Sequence, residues 1–206
     1  MNIKSLAITY SLVFIVTLVL SFLQFPFGAI LLIVFFTIIL PSILWPLHAI
    51  YWSNDLNRIE KFLQKNRKKA VFAFPLALAH GNRQEVEESL QTILTKYKQP
   101  SMQQVYTTIL DIFLGDYDAA RISAEKIKKK SLRTYYLANI AAKRGDIEEV
   151  MPHIGSFEKP WMNHVMNSFI AHHEGNETLA KTEYQKAIDS SRGLQKYVVV
   201  HSHKHM

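Results

Sequence analysis

The sequence predicts an all-α chain, two transmembrane helices followed by a short helical-hairpin solenoid, and three observations carry that prediction. No Lys, Arg, Asp or Glu occurs between Lys4 and Asp55. A run of Lys and Arg follows directly after that stretch. Further on, a Gly followed by Asp or Asn returns at Gly81-Asn82, Gly115-Asp116, Gly145-Asp146 and Gly175-Asn176, at spacings of 34, 30 and 30 residues.

Only 20% of the 206 residues are charged, and residues 55–206 hold all 17 acidic and 23 of the 24 basic ones. A net charge of +7 suits nucleic acid, an acidic partner or an anionic lipid surface, so the position of the charges has to decide. They gather beside the apolar stretch and are not interleaved with aromatics, which favours a membrane and argues against nucleic acid. With no cysteine, disulfides, thiolate nucleophiles and Cys-ligated zinc are excluded.

Residues 1–53 read as a transmembrane hairpin with spans at about 5–23 and 29–47. Each run is close to the roughly 20 residues that cross a hydrocarbon core about 30 Å thick. Gln24-Phe25-Pro26-Phe27-Gly28 between them has the Pro and Gly of a tight turn. A signal peptide also begins with Lys and an apolar run, but here no small-x-small cleavage site follows and a second apolar run does. Basic residues gather on the cytoplasmic side, so Lys4 and the cluster after the second span put both termini in the cytoplasm. The expected location is the cell membrane, as a multi-pass protein. Pro41 and Pro46 are expected to kink the second span, and Trp45, Tyr51 and Trp52 to sit at the interface. Thr17 and Ser21, one turn apart, are placed to face a partner helix. No Lys, Arg, Asp or Glu lies at membrane depth, which argues against a channel.

Residues 54–69 form a basic amphipathic juxtamembrane helix. Asn54-Asp55 supply a cap, Leu56, Ile59, Phe62 and Leu63 recur at helical spacing, and Arg58, Lys61, Lys65, Arg67, Lys68 and Lys69 are the candidate lipid-headgroup contacts. The apolar face has two possible destinations, the membrane surface or the first repeat.

The repeat domain covers residues 70–192. Nine residues before each Gly stand Phe72, Tyr106, Tyr136 and Met166, and five before it Leu76, Leu110, Ile140 and Ile170. Positions four apart share a helical face, so each Gly closes one amphipathic helix. Five, nine and twelve residues after it stand Val86-Leu90-Ile93, Ala120-Ala124-Ile127, Val150-Ile154-Phe157 and Ala180-Tyr184-Ala187, which mark a second. Gly suits the left-handed backbone that ends the first helix, and Asp or Asn caps the next. One such pair leaves its apolar stripe in water, so four in series are expected to stack as a short right-handed solenoid.

These residues resemble a known family. Gly115-Asp116-Tyr117-Asp118-Ala119-Ala120 is similar to the turn of a tetratricopeptide repeat. Ala180, Tyr184 and Ala187 match the small and aromatic alternation of that repeat's second helix, and Leu137, Ala138 and Ala141 resemble its first. The likeness covers about residues 70–190. Pro75, Pro152 and the 30-residue periods depart from the family's usual 34.

The resemblance implies a domain that holds an extended or helical peptide in a concave groove lined by the first helices. Mapped onto this chain, the groove is Val105, Ile109, Ile112 and Phe113 in the second pair, and Tyr135, Asn139 and Lys143 in the third. The fourth pair adds Val165, Phe169, His172 and His173. So apolar a groove suits an amphipathic helix. The same residues are equally placed to pack against a neighbouring helix or the C-terminal segment. The expected role is a membrane-anchored cytoplasmic adaptor or scaffold for a protein partner. The alternative is an accessory subunit of a membrane transporter or enzyme complex, with the hairpin making the main contact. Expected partners are therefore a peptide or helix, the lipid bilayer and a second membrane protein, without nucleic acid.

Chemistry beyond binding has no visible seat, and no enzyme is expected. His172-His173-Glu174 lacks the i, i+4 His pair of a zinc-peptidase helix, and no phosphate loop or nucleophile elbow occurs. His201, His203 and His205 belong to a His-containing tail, residues 193–206, expected to be disordered. No metal or cofactor is assigned. Lys128-Lys129-Lys130 with Arg133 reads as a solvated loop, with phospholipid headgroups or an acidic partner as the alternative use.

Overall fold

A computed structural model describes residues 3–202, and every element among them is helical. The chain divides into two compact units, Met1–Trp52 and Ser53–Met206.

In the first unit α1 (Ile3–Phe22) is followed by α2 (Phe27–Val34), a π-helical turn (Phe35–Ile39) and α3 (Leu40–Tyr51). Gln24, in the left-handed region at φ 58°, helps reverse the chain between α1 and α2. From Phe27 to Tyr51 the helix is unbroken, and its 25 residues, whose most apolar 18 have a mean hydropathy of 2.7, are long and apolar enough to cross a membrane. Among the described residues this is one helix of that kind where two were expected; in α1 they give a shorter apolar helix, Ala7–Phe22. α1 packs against α2 and the π turn. Ile30, Val34 and Ile38 are buried at four-residue spacing, whereas Phe14, Phe22, Phe36 and Trp45 are exposed.

The prolines do not break this helix. Pro41 brings no N–H and its ring crowds the carbonyl four residues back. Just before it the Leu40 N–H bonds the Phe35 carbonyl, five residues back, and the widened turn carries the chain past the proline. Thr37 and Ser42 hydroxyls bond the Ile33 (2.6 Å) and Ile39 (2.7 Å) carbonyls, so neither needs water.

The second unit opens with α4 (Leu56–Asn66), capped by the Asp55 carboxylate, which accepts from the N–H groups of Asn57 (2.9 Å) and Arg58 (3.2 Å). Ile59 and Leu63 of α4 are buried in a cluster with Leu76, Ala79 and Tyr197, so its apolar face meets protein. Four helix pairs follow: α5 (Ala70–His80) with α6 (Arg83–Lys96), and α7 (Pro100–Leu114) with α8 (Tyr117–Glu125). Then come α9 (Lys130–Arg144) with α10 (Ile147–Val150), and α11 (Pro160–His173) with α12 (Glu177–Ser190). Each helix packs on the next from α5 to α10, α9 also meets α11, and α11 meets α12. A last helix, α13 (Gly193–Ser202), packs on α12 and also on α4 and α5. An open-ended array would keep its contacts between neighbours. Here the last helix returns to the first.

Three expectations need correction. Gly115, Gly145 and Gly175 take left-handed backbone, but Gly81 does not, having φ −81°. There the need is space: a Cβ on Gly81 would lie 2.7 Å from both the Ala77 carbonyl oxygen and Glu85 Oε2. Glu85 is held close because it closes a capping box with Asn82, with both bonds at 3.0 Å.

The second helix of the third pair is cut short. α10 has four residues, a 3-10 turn covers Met151–His153, and Ile154 is extended. Pro152 lacks the N–H a continuing helix needs and crowds the carbonyl behind it. Phe157 still reaches the core, from an irregular segment.

Residues 193–202 are helical, not a loose tail. Tyr197 is fully buried, and burial of that ring supplies what a ten-residue helix rich in Val lacks in intrinsic propensity. His203 and His205 lie outside the described residues.

Candidate interaction surfaces

The residues mapped to a groove do not share one open surface. Val105 packs on the cluster of Ala120, Ala124, Ile127 and Ile140 between the second and third pairs. Ile109 and Phe113 pack on the cluster of the first pair, and the Arg83 guanidinium lies 5.6 Å from the Phe113 ring centre. Tyr135 stands edge-on to Trp161 (5.2 Å) and Phe157 (6.1 Å), and burial raises its pKa. Val165 and Asn139 are only 4% and 9% exposed, so neither is available to a ligand. The reason is a tight stack in which the first helices share apolar residues with neighbouring pairs.

Val105, Ile109, Ile112, Phe113, Tyr135, Lys143 and Phe169 are half-buried, and the most exposed of the set, His172 and His173, stand at the end of that line. Lys143 Nζ lies 5.6 Å over the Phe169 ring, and its pKa is lowered by burial. His173 is exposed beside Gly145, where an added Cβ would stand 3.6 Å from His173 Cε1. His172 pairs with Glu177 at 2.7 Å across the adjoining turn.

α13 accounts for part of the lost groove. Val198 packs on the cluster of the first pair, and Val199 belongs to the cluster that holds Val165 and Met166. The Tyr184 hydroxyl donates to the Val199 carbonyl, and the Gly193 N–H donates to the Ser53 carbonyl at 2.8 Å. The chain thus ties the end of the array to the residue that follows the apolar unit. Leu194, Tyr197 and Val198, spaced three and four apart, were the sequence signal for this helix.

A polar cluster that sequence reasoning missed joins α11 to α12. Burial pushes the Glu183 carboxyl up, but hydrogen bonds with Lys186 (2.6 Å), His164 (2.8 Å) and Asn167 (3.4 Å) outweigh it and hold the pKa below the usual value. A carboxyl lowered on folding contributes fully above its unfolded pKa of about 4.3 and loses that contribution as pH falls through the folded value. Glu183→Gln is therefore expected to lower Tm at neutral pH and to reduce the further loss of stability on acidification. Superimposable Tm profiles for the two proteins between neutral and acidic pH would contradict this.

Successive helices run antiparallel, so the array has two edges. Along the edge of the Gly turns, pairs are linked by Arg83 to the Leu114 carbonyl (3.4 Å), Arg144 to Asp118 (2.8 Å) and Arg121 to Glu149 (2.9 Å). The hydrogen bond from Arg121 holds the Glu149 carboxyl below its usual value. On this edge α6, α8 and α12 begin with side-chain caps from Asn82, Asp116 and Asn176, each followed by an acid in the first turn. Asp146 makes no cap, its carboxylate being held by Arg144 Nε at 3.2 Å.

The opposite edge is built differently. α5, α7, α9 and α11 begin at Lys69, Gln99, Lys129 and Lys159, with no side-chain cap and no acid in the first turn. A missing cap costs about 1 kcal/mol, and a cation at the positive end of a helix costs roughly 0.3–1 kcal/mol more. The headgroup candidates lead into this edge: Lys61, Lys65, Arg67, Lys68 and Lys69 are exposed and Arg58 is half-buried.

No family model, curated protein or solved structure matches the chain.

Proposed function

We propose that this chain is a membrane-anchored adaptor, not an enzyme, whose tetratricopeptide-like helix pairs bind a protein partner at the cytoplasmic face of the cell membrane. The observation that carries the reading is a helix of spanning length and composition, Phe27–Tyr51, joined within a few residues to an array of helix pairs. In this reading α1 crosses beside it, both termini are cytoplasmic, and the basic face of α4 meets lipid headgroups. Restricting the partner to the membrane surface raises its effective concentration without requiring tight binding. The partner, a peptide or helix, meets the accessible end of the first helices at Lys143, Phe169 and His173.

One observation favours a second reading, an accessory subunit that docks through its hairpin. One face of α1 carries Phe14, Thr17, Leu18, Ser21 and Phe22 as a continuous stripe. Its hydroxyl-bearing residues let another helix approach closely.

Photo-crosslinking in intact membranes separates the two, with the reactive side chain placed at His173 or at Thr17 of the full chain. The adaptor reading expects a discrete protein adduct from position 173. An adduct from position 17 alone supports the accessory-subunit reading, and no adduct from either position counts against both.

A further inference from the structure

We propose that the whole uncapped edge of the helix array is a docking surface for anionic phospholipid headgroups, extending the basic face of α4 along the domain. This rests on the membrane-anchored reading and adds residues that it leaves without a role. Arg67, Lys68 and Lys69 occupy the connection from α4 to α5. Lys96 and Lys98 flank the connection from α6 to α7, and Lys126, Lys128 and Lys130 that from α8 to α9. Lys159 stands at the start of α11. All of these side chains are exposed, and among the described residues none is in an ion pair.

The acids on this edge are fewer than these bases: besides Glu125 and Glu158, the latter also drawn to Lys159, Asp189 stands in the last turn of α12. Glu125 pairs with Arg121 at 3.7 Å, and Glu158 with Lys129 at 2.9 Å. The opposite edge is mixed: Asp116, Asp118, Asp146, Glu148 and Glu174 stand there among Arg83, Arg121 and Arg144, which pair with acids or a carbonyl, whereas the uncapped edge is mainly basic.

Fold stability does not explain this arrangement. Lysines stand where four helices present their positive ends, the reverse of the capped, acid-bearing starts of α6, α8 and α12. An external anionic surface relieves that local repulsion. Several short basic loops spread along one edge match an extended plane of charge better than a single small anion. In the membrane-anchored reading the chain enters α4 a few residues after Tyr51, so the domain is tethered within reach of an anionic plane of that kind.

The chain has no cysteine, so single-cysteine labelling is unambiguous. Full-length protein carries a fluorophore at Gln99→Cys on the uncapped edge, or at Thr178→Cys beside a capped start. It is reconstituted in phosphatidylcholine vesicles, with or without about one-third phosphatidylglycerol, containing a headgroup quencher. Phosphatidylglycerol is expected to raise quenching at position 99 about three-fold or more and to leave position 178 unchanged, with the rise lost in roughly 0.5 M salt.

The combined variant K96Q/K98Q/K128Q/K130Q should lose the rise while keeping its helical circular dichroism; the salt arm tests the same point in protein without those changes. Position 99 indifferent to phosphatidylglycerol, equal responses from both labels, or shielding of position 99 by a soluble acidic polypeptide but not by lipid would each overturn the inference. Extraction by alkaline carbonate separates the two readings. Protein that resists extraction yet shows no lipid response defeats the edge alone, and protein that is extracted yet responds to acidic lipid defeats the anchor alone.

Discussion

Replacing Tyr197 with Ala is expected to destabilise the helical unit by about 3–5 kcal/mol, the range for removing a large buried aromatic side chain. Tyr197 is fully buried in the cluster of Ile59, Leu63, Leu76 and Ala79. Its phenol pKa is raised, first by burial and then by the Glu60 carboxylate. Little local structure holds α13 without it, since three consecutive valines, Val198 to Val200, are weak helix formers. Loss of the ring should therefore release α13 as well as leave a cavity, loosening the Gly193–Ser53 bond and the contact at Val199. Denaturant unfolding of the full chain in detergent measures the change, and hydrogen exchange at residues 193–202 locates it. A loss below about 1 kcal/mol, the size of a surface substitution, would show that α13 merely rests on the domain.

The second large effect concerns the apolar unit. Ile38→Asp is expected to prevent stable membrane insertion, because a carboxylate near the centre of a span costs about 2.5–3.5 kcal/mol on insertion scales. Ile38 is 8% exposed and lies on the same face as Ile30 and Val34, so the charge would also disturb packing within the hairpin. Exposed Leu31, changed to Ala, is the matched control and should insert normally. Equal membrane recovery of the Asp and Ala variants would mean that Phe27–Tyr51 is not embedded.

Much of the fold was legible because its residues obey one period at a time. Val86, Leu90 and Ile93 follow helical spacing and are all fully buried, as are Ala120 and Ala124 after the next Gly. Ile154 and Phe157 show where spacing alone misleads. They match the same template and face the core, but Pro152 removes the donor that a helix through them requires. Gly81 matched the motif for a different reason from its three counterparts, close approach instead of left-handed backbone.

The candidate surface was less legible. Counting back from each Gly treats the pairs as equivalent, yet Val165 is turned into a core shared with α13, whereas His173 faces solvent. Whether a helix keeps its inner face free depends on what folds back over it, and no local spacing reports that. The uncapped edge was in part visible as Lys128-Lys129-Lys130. Its continuity with Lys96, Lys98 and Lys159 appears only once the helices are laid side by side.

Membranes carrying the full-length chain, washed in alkaline carbonate and sedimented, test the membrane anchor most directly. A hairpin embedded in hydrocarbon keeps the protein in the pellet. Recovery of the intact chain in the supernatant would contradict it.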